Sequence, residues 1–563
     1  MRSEQVGYDK ANIGNSVSPN CRVSRSDAEY DVLIRGGSIY DGSGVAPIAG
    51  DVAIVGDSIA AVGPTAGGRG RTEIEASGLA VAPGFINMLS WAAESLIADG
   101  WSQSDIRQGV TLELFGEGSS LGPLNERMKK HERERQGDIK YEITWTTLDE
   151  GLRHLVSRGV SCNVASLVGA TTLREHELGF EDRPPSPDEL RRMRELLRQA
   201  MQEGALGVGS SLIYAPACFA DTAELAALAE VAGAYGGIYV SHIRNEGNRL
   251  LEAVDELVDI ARGSGAPAEI WHFKASGPSN WPKLERAIER VEAARAQGVR
   301  ITADMYTYHA SSTGLDATMP GWVQEGGHYA WVERLKDPAV RALLRHELST
   351  ASDAGLNEFL SAEKILLVGF RNEALRPLTG KTLAEVAAMR ETSVEDTIMD
   401  LIVEDDSRIQ CVFFTMAEDN VRKAVGLPWM SFCSDAGSLA PEGVFLNTST
   451  HPRAYGSFAR LLAKYVRDEG VVPLAEAVRR LTSLPADNLG LDRRGRVAPG
   501  HYADVVVFDP TTIQDHATFE RPHQYATGVQ HVFVNGQHVL RDGDHTGALP
   551  GRVVRGRGYG GSR

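Results

Sequence analysis

Eight apolar, strand-like runs alternate with helical stretches through the middle of the chain, and β-hairpin texture recurs at both ends. Together these features predict an α/β protein: a (β/α)8 TIM barrel with a small β-sandwich domain formed by both chain ends and a helical insertion near the active site. The length of 563 residues suits a large barrel plus a smaller partner domain.

The elements can be justified in order. Residues 1–28 are polar and rich in Ser, Asn and Asp, so a flexible extension is expected there. YDVLIRGGSIYDGSG and DVAIVGDSIAAVG follow, short alternating apolar runs broken by Gly and Asp, which read as hairpins. The same texture returns in GHYADVVVFDP and VQHVFVNGQHVLRDG. Residues 29–82 and 490–545 are therefore expected to pair into one sandwich. The barrel is expected over 83–489, with strands in LAVAPGFINML, TLELFGE, CNVASLVG, ALGVGSSL, GIYVSHIR, AEIWHFKA, VRITADMYTY and WMSFCSD. Between them lie helical patterns such as PDELRRMRELLRQAMQEG, with apolar residues at helical spacing. The last two strands are separated by an insertion, about 316–427, containing helical segments and two further strands, KILLVGF and IQCVFFTM. An insertion after a barrel strand lies at the active-site face and can serve as a lid. Residues 546–563 are expected to trail as a C-terminal tail.

Composition narrows the functional classes. Basic residues number 58 against 75 acidic, a formal charge of −17, which argues against a phosphate-backbone binder. No apolar run reaches transmembrane length and no signal peptide opens the chain, so a cytoplasmic protein with no membrane partner is expected. Five scattered cysteines without a CxxC pair fit free thiols in a reducing compartment. The expected partner is a small-molecule substrate, and a homo-oligomer is compatible with everything above.

Polar residues at the C-terminal ends of barrel strands are the candidates for chemistry. The second strand ends at Glu117, the fifth at His242, the sixth at His272 with Lys274, the seventh at Asp304, Tyr306 and Tyr308, and the eighth at Asp435. His242 and His272 are thirty residues apart, about one strand–helix–strand repeat, so both rings can stand at one height on neighbouring strands. Two imidazoles and a carboxylate suit zinc with an open fourth position. Each candidate also has a plainer reading: a hydrogen-bonded histidine, a structural carboxylate at Glu117, a helix N-cap at Asp435.

The motif order resembles the amidohydrolase superfamily, and within it the D-aminoacylase (N-acyl-D-amino-acid deacylase) family, from about Tyr30 to Arg541. The resemblance is carried by DVLIRGGSIYDGSG, APGFIN, QGVTLELFGEGSS, NVASLVGATTLR, GSSLIYAPACFADTAEL, YVSHIRNEG, WHFKASG, DMYTYHASSTGL, SDAG, HPRAYGSFARLL and GHYADVVVFDP. It implies that Glu117, His242 and His272 hold one divalent ion, Zn2+ foremost, with manganese and iron also compatible. It implies that Asp435 takes a proton from the ion-activated water and passes it to the leaving amine. It implies that Arg453, Lys274 and Tyr306 grip the substrate carboxylate, with Ser311 and Ser312 adding hydroxyl contacts and Tyr214 lining the same face. Arg453 in a surface salt bridge and Tyr306 in core packing are the plain alternatives. Cys218 reads as a pocket-wall thiol. The sequence departs from the family in two places. The expected Asp-x-His-x-His is here Asn87, Met88, Leu89, Ser90 and Trp91, and neither Leu nor Trp ligates zinc. An expected VGH is Val168, Gly169 and Ala170. Both departures point to a single ion and a remodelled pocket. The leading expectation is hydrolysis of an N-acyl-D-amino acid or a related small N-acyl compound. A hydrolase or acyl transferase acting on an ester, lactam or peptide-like metabolite, or a catalytically inactive binding protein, are the alternatives.

Overall fold

The computed structural model describes residues 29–64, 68–350 and 361–560, so the expected extension over 1–28 lies outside the described residues. Five N-terminal strands come first: β1 (Tyr30–Ile39), β2 (Ile48–Val55), β3 (Ser58–Gly63), β4 (Gly70–Glu75) and β5 (Ala80–Pro83). The barrel follows with β6 (Phe85–Asn87), β7 (Val110–Phe115), β8 (Asn163–Ser166), β9 (Val168–Gly169), β10 (Gly207–Ser211), β11 (Ile238–His242), β12 (Ala268–Ile270) and β13 (Ile301–Met305). Then come β14 (Ser311–Gly314), β15 (Ile365–Gly369), β16 (Gln410–Phe413), β17 (Met430–Phe432), and finally β18 (Val505–Phe508), β19 (Val529–Val534), β20 (Gln537–Arg541) and β21 (Asp544–His545).

The expected (β/α)8 barrel is present. Its parallel strands run β6, β7, β8 with β9, β10, β11, β12, β13, β17. The ring closes between first and last strands, where the Met88 N–H donates to the Phe432 carbonyl (3.3 Å) and the Asp435 N–H to the Leu89 carbonyl (2.9 Å). The barrel strands are buried on both faces and rich in apolar residues, but they also carry buried polar side chains such as Glu113, Asn163, Glu269 and Asp304. Trp271, fully buried, fills the interior below the site. It fits because position 209 is Gly: a Cβ there would lie 2.4 Å from the Trp271 ring.

The two chain ends share one sheet, joined where β5 pairs antiparallel with β18. A separate apolar cluster, with Ile34, Val52, Val505 and Phe533 among its members, forms the core of this layer. The segment after β21, expected as a tail, is instead docked. Gly551 and Val554 donate backbone hydrogen bonds to the carbonyls of Val160 and Val164, both at 2.8 Å, and Gly556 donates to Gly204 at 2.9 Å. It packs there because the start of β8 offers unpaired carbonyls.

The insertion between β13 and β17 carries helices and the two expected strands, which form β15 and β16. Its helices pack on a three-stranded antiparallel sheet ordered β14, β16, β15, with its own core around Leu367, Ile398, Ile402 and Phe413. No helix among the described residues is long and apolar enough to cross a membrane. The four described cysteines, Cys162, Cys218, Cys411 and Cys433, are free thiols.

Candidate metal centre and substrate site

Glu117, His242 and His272 converge at the C-terminal mouth of the barrel, all buried, with one ligand atom from each within 4.8 Å of the others. Gly116 makes the turn that brings Glu117 inward: its φ of +109° is open to Gly and strained for other residues. Glu117 Oε1 lies 3.0 Å from His242 Nδ1 and 3.2 Å from His272 Nε2. The two rings meet edge to face at 4.4 Å. His272 itself has a φ of +37°, a left-handed backbone that aims its ring at the shared point. Burial pushes the Glu117 carboxyl up, but its hydrogen bonds with His242 and His272 outweigh that and hold it well below the usual carboxylate range. An ionised carboxylate and two imidazole nitrogens facing one point are a donor set that could hold a divalent ion.

Asp435 faces this point from the end of β17. Its φ is +49°, a region that Asp tolerates, and no helix starts at it, so it is not an N-cap. One carboxylate oxygen accepts the Trp91 indole N–H at 3.1 Å, and the other lies 2.6 Å from Arg453 Nη1. Burial pushes the Asp435 carboxyl above the ordinary carboxylate range, against the pull of Arg453 and His272. Arg453 is not on the surface. It opens the helix Arg453–Arg460, lies over the Tyr306 ring at 4.6 Å, and donates from Nη2 to the Ser312 carbonyl at 3.1 Å. Its Nε is buried without a hydrogen-bond partner. Such a donor is costly unless a ligand or water supplies an acceptor.

The other expected contact residues divide. Tyr306 is buried beneath Arg453, and its hydroxyl approaches Met416 Sδ at 3.7 Å. Tyr214 packs edge to face on His242 at 5.4 Å, while its hydroxyl bonds Thr313 Oγ1 at 2.7 Å. Ser311 and Ser312 lie on β14, and the Ser312 hydroxyl is taken up by the Cys411 carbonyl at 2.8 Å. Lys274 stays beside the expected clamp, its Nζ 5.8 Å from the centre of the Tyr306 ring, and is held by its neighbours. Its Nζ lies 2.6 Å from Glu246 Oε1 and 2.7 Å from His272 Nδ1. Cys218 borders a cleft of about 650 Å³ beside the site, and burial pushes its thiol up to about 11, so it stays protonated.

Two residues of the site escape a reading of strand ends. Glu246, four residues after His242, reaches both histidines from the side away from Glu117, 3.1 Å from His272 Nδ1 and 3.7 Å from His242 Nε2. It lies in the irregular loop between β11 and the helix Leu250–Ser264, where no periodicity in the sequence marks it. Trp91 stands out in the sequence only as something that cannot bind zinc, yet it holds Asp435.

A sequence profile of the amidohydrolase family matches residues 72–540. The D-aminoacylase of Alcaligenes xylosoxydans xylosoxydans is 31% identical over 542 residues, spanning 94% of this chain and 99% of that protein. A solved D-aminoacylase, whose binuclear metal centre is described as showing one-metal activation and second-metal attenuation, superposes with a TM-score of 0.77 at 30% identity, covering 93% of this chain and 100% of that one. An N-acyl-D-glutamate deacylase from Bordetella bronchiseptica, solved with zinc and a phosphonate mimic of the tetrahedral intermediate, gives 0.76 at 29% identity over 93% and 99% of the two chains. With the family profile spanning most of its length and relatives matching nearly all of it, the chain belongs to the amidohydrolase family and is related to the D-aminoacylases.

Proposed function

We propose that this protein is a metal-dependent deacylase, which hydrolyses the amide of an N-acyl-D-amino acid or a related small N-acyl compound. The observation that carries the reading is one constellation: a Glu–His–His donor set facing a buried aspartate whose partner arginine has an unpaired N–H. The D-configuration is supported by the activities of the D-aminoacylase and N-acyl-D-glutamate deacylase it resembles.

One ion per chain, zinc foremost, would be held by Glu117, His242 and His272. Leu89 and Trp91 at the end of the first strand offer no further nitrogen ligand. A divalent ion there supplies Lewis-acid activation of water and of the scissile carbonyl. The chain's own residues do the rest. Asp435, in the water-poor mouth, receives the proton of the attacking water and returns it to the leaving nitrogen, and its raised pKa suits both halves of that exchange. Arg453, stacked on Tyr306, offers its unpaired Nε–H to the substrate carboxylate and fixes which end of the substrate meets Asp435.

The test is metal analysis of the purified protein together with acid release from N-acetyl-D-amino acids. We expect about one zinc per chain and loss of turnover on chelation, restored by zinc. Active protein that contains no metal rules this reading out.

A further inference from the structure

Trp91 is the most exposed tryptophan among the described residues, at 47%, although it lies only four residues beyond the end of the fully buried strand β6. The residues on either side of it, Ser90 and Ala92, are buried, as are Met88 and Leu89 before them. Its backbone is pinned, with the N–H donating to the Ala436 carbonyl at 3.0 Å. The edge of its ring is pinned too, through the indole N–H on Asp435. Trp101, similarly exposed, lies stacked on His545 at 4.7 Å, whereas no ring is paired with Trp91 among the described residues. A rigid indole beside a catalytic carboxylate, with an uncovered face, is an arrangement completed by an apolar ligand group.

Direction follows from Asp435. One of its oxygens belongs to Arg453 and the other to Trp91, so the three side chains stand in the order Arg453, Asp435, Trp91. A substrate whose carboxylate is held at Arg453 has its amide over Asp435. Its acyl group then extends over Trp91.

We propose that Trp91 is a positioning and specificity-determining residue: its indole N–H aims the Asp435 carboxylate, and its face receives a bulky, apolar acyl group in preference to acetyl. This rests on the deacylase reading above. The expected substrates are N-acyl-D-amino acids with planar or extended apolar acyl chains.

The test uses zinc-loaded full-length protein as wild type, Trp91→Phe and Trp91→Ala, with kcat and KM measured on N-acetyl and N-phenylacetyl derivatives of one D-amino acid. The wild type should favour phenylacetyl by about tenfold or more in kcat/KM. Trp91→Phe, which keeps a ring face and loses the N–H, should keep that ratio while kcat falls about tenfold on both substrates. Trp91→Ala should bring the ratio to about one. A Trp91→Ala ratio equal to the wild-type ratio overturns the platform, and an unchanged kcat in Trp91→Phe overturns the positioning role. Calorimetric binding of the acid products, phenylacetate and acetate, separates the two levels. If no N-acyl amino acid is hydrolysed yet Trp91→Ala selectively weakens phenylacetate, the deacylase reading falls and the platform stands. If wild type and Trp91→Ala bind phenylacetate equally, the platform falls whatever the hydrolysis shows.

Discussion

Glu246 stands behind the three side chains that face the candidate ion. An imidazole that gives one nitrogen to a metal carries its proton on the other, and that proton needs an acceptor to fix ring and tautomer. His272 Nδ1 has Glu246 Oε1 at 3.1 Å, and Lys274 braces the same oxygen. Glu246→Gln keeps the shape and removes the charge, so zinc affinity should fall about 10- to 100-fold in competition with a chromophoric chelator. Unchanged affinity would reduce Glu246 to a mere neighbour. The sequence made some of this legible. His242 and His272 are separated by one β/α repeat, whereas Lys274 as a substrate contact is what the family resemblance implies. A resemblance does not show what holds that lysine: its ammonium is paired with Glu246, which lies in an irregular loop with no period to reveal it, while staying over the Tyr306 ring.

At the scale of elements, short apolar-rich runs mark the barrel strands, because a parallel strand covered on both sides is buried along its whole length, even where it carries a polar residue such as Glu113 or Glu269. The insertion is harder to read. Ser311–Gly314 is polar and lacks alternation, and it becomes strand β14 because the edge of β16 offers paired backbone partners. This strand matters to the site: Ser312 accepts from Arg453, and Thr313 bonds Tyr214. The insertion core should therefore be felt at the substrate clamp. Ile398 is fully buried in that core, on the helix Val394–Asp405. Ile398→Ala should cost about 2–5 kcal/mol within the insertion. Faster hydrogen exchange across 365–369 and 410–413, unchanged exchange in β10 and β11, and a raised KM are the expected results. Unchanged exchange in the insertion strands would show that Ile398 does not hold them.

For the whole molecule, stability should carry a pH signature set by acids buried around the barrel. Asp105 and Glu113 are both fully buried, with Asn87 donating to the first at 3.0 Å and Ser90 to the second at 3.0 Å. Burial pushes the Asp105 carboxyl up to about 7, and burial together with the charge of Asp105 pushes Glu113 up to about 8. In the unfolded chain such groups titrate near their ordinary values, about 4. Between those two limits the unfolded state has lost protons that the folded state retains, so unfolding releases protons and stability falls as pH rises. The stabilising contribution is fully present below about pH 4 and is lost as pH climbs through the folded values near 7 and 8. Glu113→Gln removes one of these protons from the balance. Over the window it should flatten the slope by up to about 1.4 kcal/mol per pH unit, and the variant should gain on the wild type as pH rises from 5 toward 8. Urea midpoints across that range decide the matter. Parallel slopes would mean that Glu113 is ionised in the folded protein, and the account of a carboxyl kept protonated by burial and by the charge of Asp105 would fail.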